Sequence, residues 1–157
     1  DHEQLVARRK EVDDAPIPSG QSSAAFGLLR LAALAGEAYL EDGGVGVLRL
    51  FGELLRRSPL AFGHLLQALD FHLGRVREVA LVGAGGADFR ALERVVRGAF
   101  RPDVVVAGGD GVDDGGVPLL VGRTARDGAT AYVCERFTCR APVTDPATLA
   151  EVLQADT

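Results

Sequence analysis

Cys134 and Cys139 are the only two cysteines of the chain, and both fall within A-T-A-Y-V-C-E-R-F-T-C-R-A-P, residues 129–142. Four residues lie between them, enough for a hairpin turn that sets two thiols near one another across strands, as a disulfide or as a dithiol. In a reducing cytosol such a disulfide is transient or catalytic. A second reading buries one cysteine as a small apolar residue and leaves the other incidental. A third is a metal, but zinc takes four ligands and two cysteines supply half of them. The three histidines, His2, His64 and His72, have no spacing that points at the cysteines, and His64 and His72 read as helix-surface or helix-contact residues eight apart on one side of a helix. No metal and no cofactor is expected.

Asp13 and Asp14 are paired carboxylates preceding an apolar segment. At the mouth of a helix they suit general acid–base work or sugar hydroxyl binding. They equally suit the positive end of the helix macrodipole. The turn Gly83-Ala84-Gly85-Gly86-Ala87-Asp88 lies between an apolar run and a helix pattern and invites a dinucleotide reading, with Asp110 in the place of a ribose-binding acid. Asp88 stands where the third glycine belongs, and its carboxylate both caps the helix and repels a phosphate. Asp110, Asp113 and Asp114 share a Gly-rich loop without ordered ligand spacing, so a solvated loop is expected there and not a calcium site.

The composition narrows the class of protein that could use these groups. With 157 residues, 47% of them hydrophobic, the chain has the size of one ordinary domain and the means to build a core. A net charge of -5 and scattered arginines argue against nucleic acid or an anionic membrane as partner. No apolar run approaches the roughly 20 residues that span a bilayer, and the N-terminal D-H-E-Q-L-V-A-R-R-K has no apolar signal segment, so the cytoplasm is the expected setting. One Lys, one Ile, no Asn and no Met suggest a GC-rich genome, and a chain opening on D-H-E-Q reads as a piece of a longer polypeptide.

Three helices and then a small sheet must position the candidates. After a charged lead-in over residues 1–12, two prolines force extended backbone and Ser19 caps a helix running from about Gly20 to Ala35, apolar almost all round apart from Arg30 and so expected to be buried on most faces. Gly36 ends it. A second helix begins near Glu37, passes a weak point at Gly43-Gly44, and puts Val47, Leu48, Phe51, Leu54 and Leu55 on one face. Ser58-Pro59 reads as cap and first turn of a third helix that ends at Gly74. Short connections make these helices antiparallel neighbours. Beyond Arg75, residues 78–83 and 103–107 read as buried strands flanking a helix from Asp88 to about Phe100, a βαβ unit. Residues 118–122 read as a short extended segment, 130–133 as a third strand, and Asp145-Pro146 as the start of a last helix through Leu153. The fold class is α+β, with a helical segment over residues 1–74 and a small α/β subdomain over 75–157.

Three motifs carry a resemblance. D-D-A-P-I-P-S-G-Q-S-S-A-A (13–25), R-S-P-L-A-F (57–62) and A-T-A-Y-V-C-E-R-F-T-C-R-A-P-V-T-D-P (129–146) resemble, in order, segments of the spermatogenesis-associated protein 20-like, thioredoxin-domain-containing family. The resemblance implies a longer parent with a thioredoxin-like domain, an (α/α) toroid similar to six-hairpin glycosidases and sugar epimerases, and a small α/β tail. This chain would then hold the closing helices and the tail, with the upstream regions of the same polypeptide as partners. It implies a wall of a site and not a complete one; a sugar ligand handled by Asp13 and Asp14, with Ser19 and Gln21 as binding residues; or a dithiol at Cys134 and Cys139. Gln21 and Arg136 stand where the family has Asn. Arg136 would place a cation beside the thiols. Helices built for missing neighbours would also self-associate in isolation.

Overall fold

The computed structural model describes residues 12–14, 16–112 and 115–155. The lead-in over residues 1–11, His2 within it, and Asp113 and Asp114 lie outside the described residues. Helix α1 spans Gly20–Ala35, α2 Ala38–Arg57 and α3 Gly63–Leu73. Strand β1 (Arg77–Gly83), helix α4 (Ala87–Arg97) and strand β2 (Val104–Gly109) follow, then β3 (Ala129–Glu135), β4 (Thr138–Cys139) and helix α5 (Pro146–Gln154). This is the α+β arrangement expected, helices first and a helix last.

The ends of α1 follow their local signals. The Ser19 hydroxyl accepts from the Ser22 amide at 3.2 Å, and Gly36 closes the helix with φ of 69°, a left-handed conformation that suits glycine. Two residues later α2 turns back along α1. The closeness of that return explains Gly44. A Cβ there would lie 2.7 Å from Cγ of Leu29 and 3.1 Å from the Ala25 carbonyl, so the glycine pair is a contact surface between helices and not merely a soft point. Gly44→Ala is therefore expected to lower stability by about 1–3 kcal/mol through overpacking. Gly46→Ala, in the same helix with nothing within 4 Å of the new methyl, should raise it by about 0.5–1 kcal/mol through helix propensity. Urea unfolding of the pair reads both signs, and equal effects would remove the close approach as the cause.

Ser58-Pro59 does not open α3 directly. It starts a separate 3-10 turn over Pro59–Ala61, and α3 begins at Gly63. The Pro118 segment, expected to be extended, is also a 3-10 turn (Pro118–Leu120), which buries Leu119 and Leu120 against the sheet. Burial of that Leu pair outweighs the extended preference of its surroundings.

The sheet runs β2-β1-β3-β4, with β1 and β2 parallel around α4 and the remaining pairs antiparallel. Its two faces separate by alternation. Val79 and Leu81 pack with Leu92, Val96, Leu149 and Leu153 under α4 and α5. Ala80 and Val82 face the other way, with Leu119, Leu120 and Cys134, and Leu34 of α1 packs there too. The helical core is Leu29, Leu48, Phe51, Leu55, Leu65 and Phe71 with their neighbours, and it takes in Val105 of β2. Arg30, the one charge in α1's apolar run, ties the two halves together. Its Nη1 donates to the Pro102 carbonyl at 3.2 Å and its Nη2 to that of Val104 at 3.1 Å, while the guanidinium lies over the Phe26 and Phe71 rings. Strand β2 is an edge, and Arg30 occupies acceptors at its start.

Among the described residues one apolar surface stays uncovered. Gly20, Ala24, Gly27 and Leu31 recur at helical spacing along the exposed side of α1, and Tyr39, Leu50 and Leu54 do so on α2. Leu31 is 48% exposed and Leu50 73%, so among the described residues the burial expected for most faces of α1 is incomplete.

Candidate functional site

The cysteine hairpin is built from β1 outward. Glu78, Cys134 and Cys139 stand opposite one another in register across β1, β3 and β4. Paired residues share a face, and here Cys134 and Cys139 form a disulfide. Cys134 is buried, whereas Cys139 lies exposed on the short outer strand.

Between the two cysteines the chain turns through Arg136 and Phe137 alone, with φ of 47° and 61°. Two consecutive left-handed residues match the twist of a tight hairpin, a geometry that favours Asn-Gly and costs other residues roughly 1–2 kcal/mol each. Three contacts hold the turn in place. The disulfide closes its base, the Phe137 amide donates to Oε2 of Glu78 at 2.7 Å, and the Phe137 ring lies so close to Gly36 that a Cβ there would sit 3.1 Å from it. The glycine that ends α1 thus also makes room for the hairpin tip. Arg136→Asn should relieve part of the strain and stabilise the chain by about 1 kcal/mol, measured by urea unfolding. A loss of stability would mean that the Arg136 side chain makes a contact worth more than the strain.

Glu78 is a buried acid, 4% exposed. Burial pushes its carboxyl above the ordinary range, against bonds from the Phe137 and Arg136 amides and the charge of Arg123, while Glu135 adds to the rise. Glu135 itself accepts from Arg75 at 2.8 Å, with Arg140 3.9 Å away. The cation at the sulfurs is Arg123. Its Nη2 lies 2.9 Å from Sγ of Cys139 and 3.5 Å from Sγ of Cys134, with the guanidinium 5.9 Å from the Tyr132 ring centroid. Arg136, which the sequence put beside the thiols, lies in the turn; Arg123 comes from a loop eleven residues before Cys134, and no spacing rule points to it. Beside the hairpin opens a groove of about 1060 Å³ between the C-terminal ends of α1 and α3, lined among others by His72, Arg75, Glu78, Arg136 and Phe137.

The other candidate residues lie elsewhere. Asp14 accepts the Ser19 amide on Oδ1 at 2.8 Å and the His64 and Leu65 amides on Oδ2 at 2.9 and 3.1 Å. Its carboxylate therefore caps α3, fifty residues away in sequence, and braces the start of α1. Burial pushes its carboxyl up, but the bonds from Ser19, Ser22, Leu65 and His64 outweigh that and hold it below the usual value. Asp13 is exposed. Ser19 is 2% exposed and spends its hydroxyl on Ser22, whereas Gln21, half-buried, makes no side-chain hydrogen bond among the described residues. The acids stand at the N-terminal end of α1 and the hairpin at its C-terminal end, a helix length of about 24 Å. They do not form one site. His64 packs edge-on against Phe26, and among the described residues no group of three His, Cys, Asp or Glu is placed to hold a metal ion. No helix among them is long and apolar enough to cross a membrane.

Over 155 residues the chain is 34% identical to spermatogenesis-associated protein 20 of Homo sapiens, taking in 95% of this chain and 20% of that protein. The chain is homologous to one fifth of spermatogenesis-associated protein 20. The proteins of that name from Rattus norvegicus and Mus musculus match over 155 residues at 32% and 31% identity, again 95% of this chain and 20% of theirs. The chain thus spans about one fifth of the length of these relatives. No family model and no solved structure matches the chain.

Proposed function

We propose that this chain is the C-terminal region of a longer cytoplasmic protein of the spermatogenesis-associated protein 20 type. In this reading α1 to α3 close an (α/α) toroid like those of six-hairpin glycosidases and sugar epimerases, and the α/β part forms one wall of a site completed by upstream segments, a thioredoxin-like domain among them. The observation that carries the reading is the coverage, 95% of this chain against 20% of its relative. The uncovered apolar stripes of α1 and α2 support it, because a helix apolar all round is one that neighbours bury. Sedimentation of the isolated chain is the test. Concentration-dependent self-association that Leu31→Glu and Leu50→Glu abolish is expected, and a monomer at every concentration speaks against the reading.

The carbohydrate form of this proposal rests on the toroid resemblance. With both oxygens of Asp14 taken by amides, an acid–base pair would need an acid from the upstream part of the protein. A second reading is favoured by a specific observation: the Cys134–Cys139 bond lies on an exposed edge with a guanidinium on both sulfurs, an arrangement suited to thiol–disulfide exchange.

A further inference from the structure

We infer that Cys139, Cys134 and Arg123 form an exchange centre in which Cys139 meets the partner thiol, Cys134 resolves the mixed disulfide, and Arg123 holds whichever sulfur is thiolate. The inference deepens the exchange reading and rests on it. Exposure divides the roles of the sulfurs. Cys139 lies on the outermost strand within reach of a partner, while Cys134, 1% exposed, can be reached only by Cys139.

Arg123 sets the chemistry. In the disulfide its Nη2 faces two neutral sulfurs, which are weak acceptors. Its Nη1 donates to the Val121 carbonyl at 3.3 Å, and its Nε is buried without a hydrogen-bond partner. Among the described residues it makes no ion pair, and its charge acts on the nearby Glu78 carboxyl without contact. A guanidinium so poorly matched gains more from a thiolate than from a disulfide sulfur, and that difference lowers the energy of each thiolate formed during exchange. The other charges around the sulfurs are already engaged: Glu78 takes the turn amides, and Glu135 is paired with Arg75 and Arg140. Arg136 adds a second cation at the turn.

The steps balance with a small thiol such as glutathione as co-reactant. Its thiolate attacks Sγ of Cys139, the S–S bond breaks, and Cys134 leaves as a thiolate beside Arg123. A second thiolate then attacks the glutathione sulfur of the mixed disulfide, releasing oxidised glutathione and a Cys139 thiolate. Two thiols are oxidised and one protein disulfide is reduced. In reverse, the Cys139 thiolate attacks an incoming disulfide and Cys134 displaces the mixed disulfide. Reduction also frees the base of the Arg136-Phe137 turn beside the groove.

The test follows alkylation of the reduced chain by iodoacetamide from pH 5 to 10, with mass spectrometry to locate the adduct. Cys139 should react first, with a midpoint below the free-thiol value of about 8.5, and at pH 7 faster in the native chain than in urea. Arg123→Gln should slow the native reaction at pH 7 roughly tenfold yet leave it unchanged near pH 10, whereas Arg123→Lys retains most of the rate. The native-against-urea comparison needs no variant and stands even where Arg123→Gln does not fold. Equal native and urea rates, first reaction at Cys134, or an unaltered pH profile in folded Arg123→Gln would each overturn the roles assigned. Failure of a different kind is separable: if glutathione buffers never re-form the Cys134–Cys139 bond in the native chain, the exchange reading falls with it.

Discussion

Arg77→Ala should lower the unfolding free energy by about 3 kcal/mol, the largest single loss expected in this chain. Arg77 opens β1 with only 5% of its side chain exposed. Its Nη2 and Nε hold Oδ2 of Asp103 at 2.6 and 3.0 Å, and its Nη1 donates to the Leu153 carbonyl at 2.6 Å. One side chain thus joins the first strand, the lead into the second, and the end of α5. Truncation strands a carboxylate and satisfies none of the groups it leaves. The usual cost of breaking a buried pair is about 3–5 kcal/mol, and the low end applies because Asp103 is 32% exposed and can regain water. Asp103→Asn should cost less, since the amide still accepts from the guanidinium. Urea unfolding measures both. A loss below about 1 kcal/mol for Arg77→Ala would mean that the pair does not brace the sheet against α5.

Asp14→Ala should cost about 2–3 kcal/mol, since three backbone amides lose their acceptor together. Asp14→Asn should fall between, because one carbonyl oxygen cannot serve Ser19 on one side and His64 with Leu65 on the other. The pH dependence has a definite sign. The Asp14 carboxyl is held below its ordinary value in the folded chain, so its contribution is complete above the unfolded value near 3.8 and is lost as pH falls through the folded one. The alanine variant should therefore lose less stability on acidification than the parent. Were the two to lose stability in parallel, the cap would not be what protects Asp14. Because Asp14 is also the residue a catalytic reading would replace, any loss of activity in a longer protein must be weighed against this loss of fold.

Much of the architecture follows from signals a few residues long. Ser19 and Asp145 cap the helices they precede, Gly36 ends α1, the apolar run in β1 is a buried strand, and the four residues between the cysteines do close a hairpin. What escaped the sequence reading is non-local. Asp14 looks like the acid of its own helix but caps one fifty residues on; Glu78 looks like a strand residue but anchors a turn; Arg123 reaches the sulfurs from a loop with no pattern. Gly44 shows the same limit, because a glycine that softens a helix and one that admits a neighbour read alike until the neighbour is in place. Arg136 is legible as a cation near the thiols, but not as a residue that must take left-handed backbone in the turn.

Under the proposed reading the uncovered apolar stripe is where this chain would meet the rest of a longer protein, and its solvent access is the most direct test. Hydroxyl-radical footprinting with mass spectrometry would compare Leu31, Tyr39, Leu50 and Leu54 in the isolated chain and in the longer polypeptide that contains it. Strong labelling is expected in the isolated chain and protection in the longer protein, with exposed Leu60 and Phe100 as internal references. Equal labelling of the stripe in both would contradict that reading.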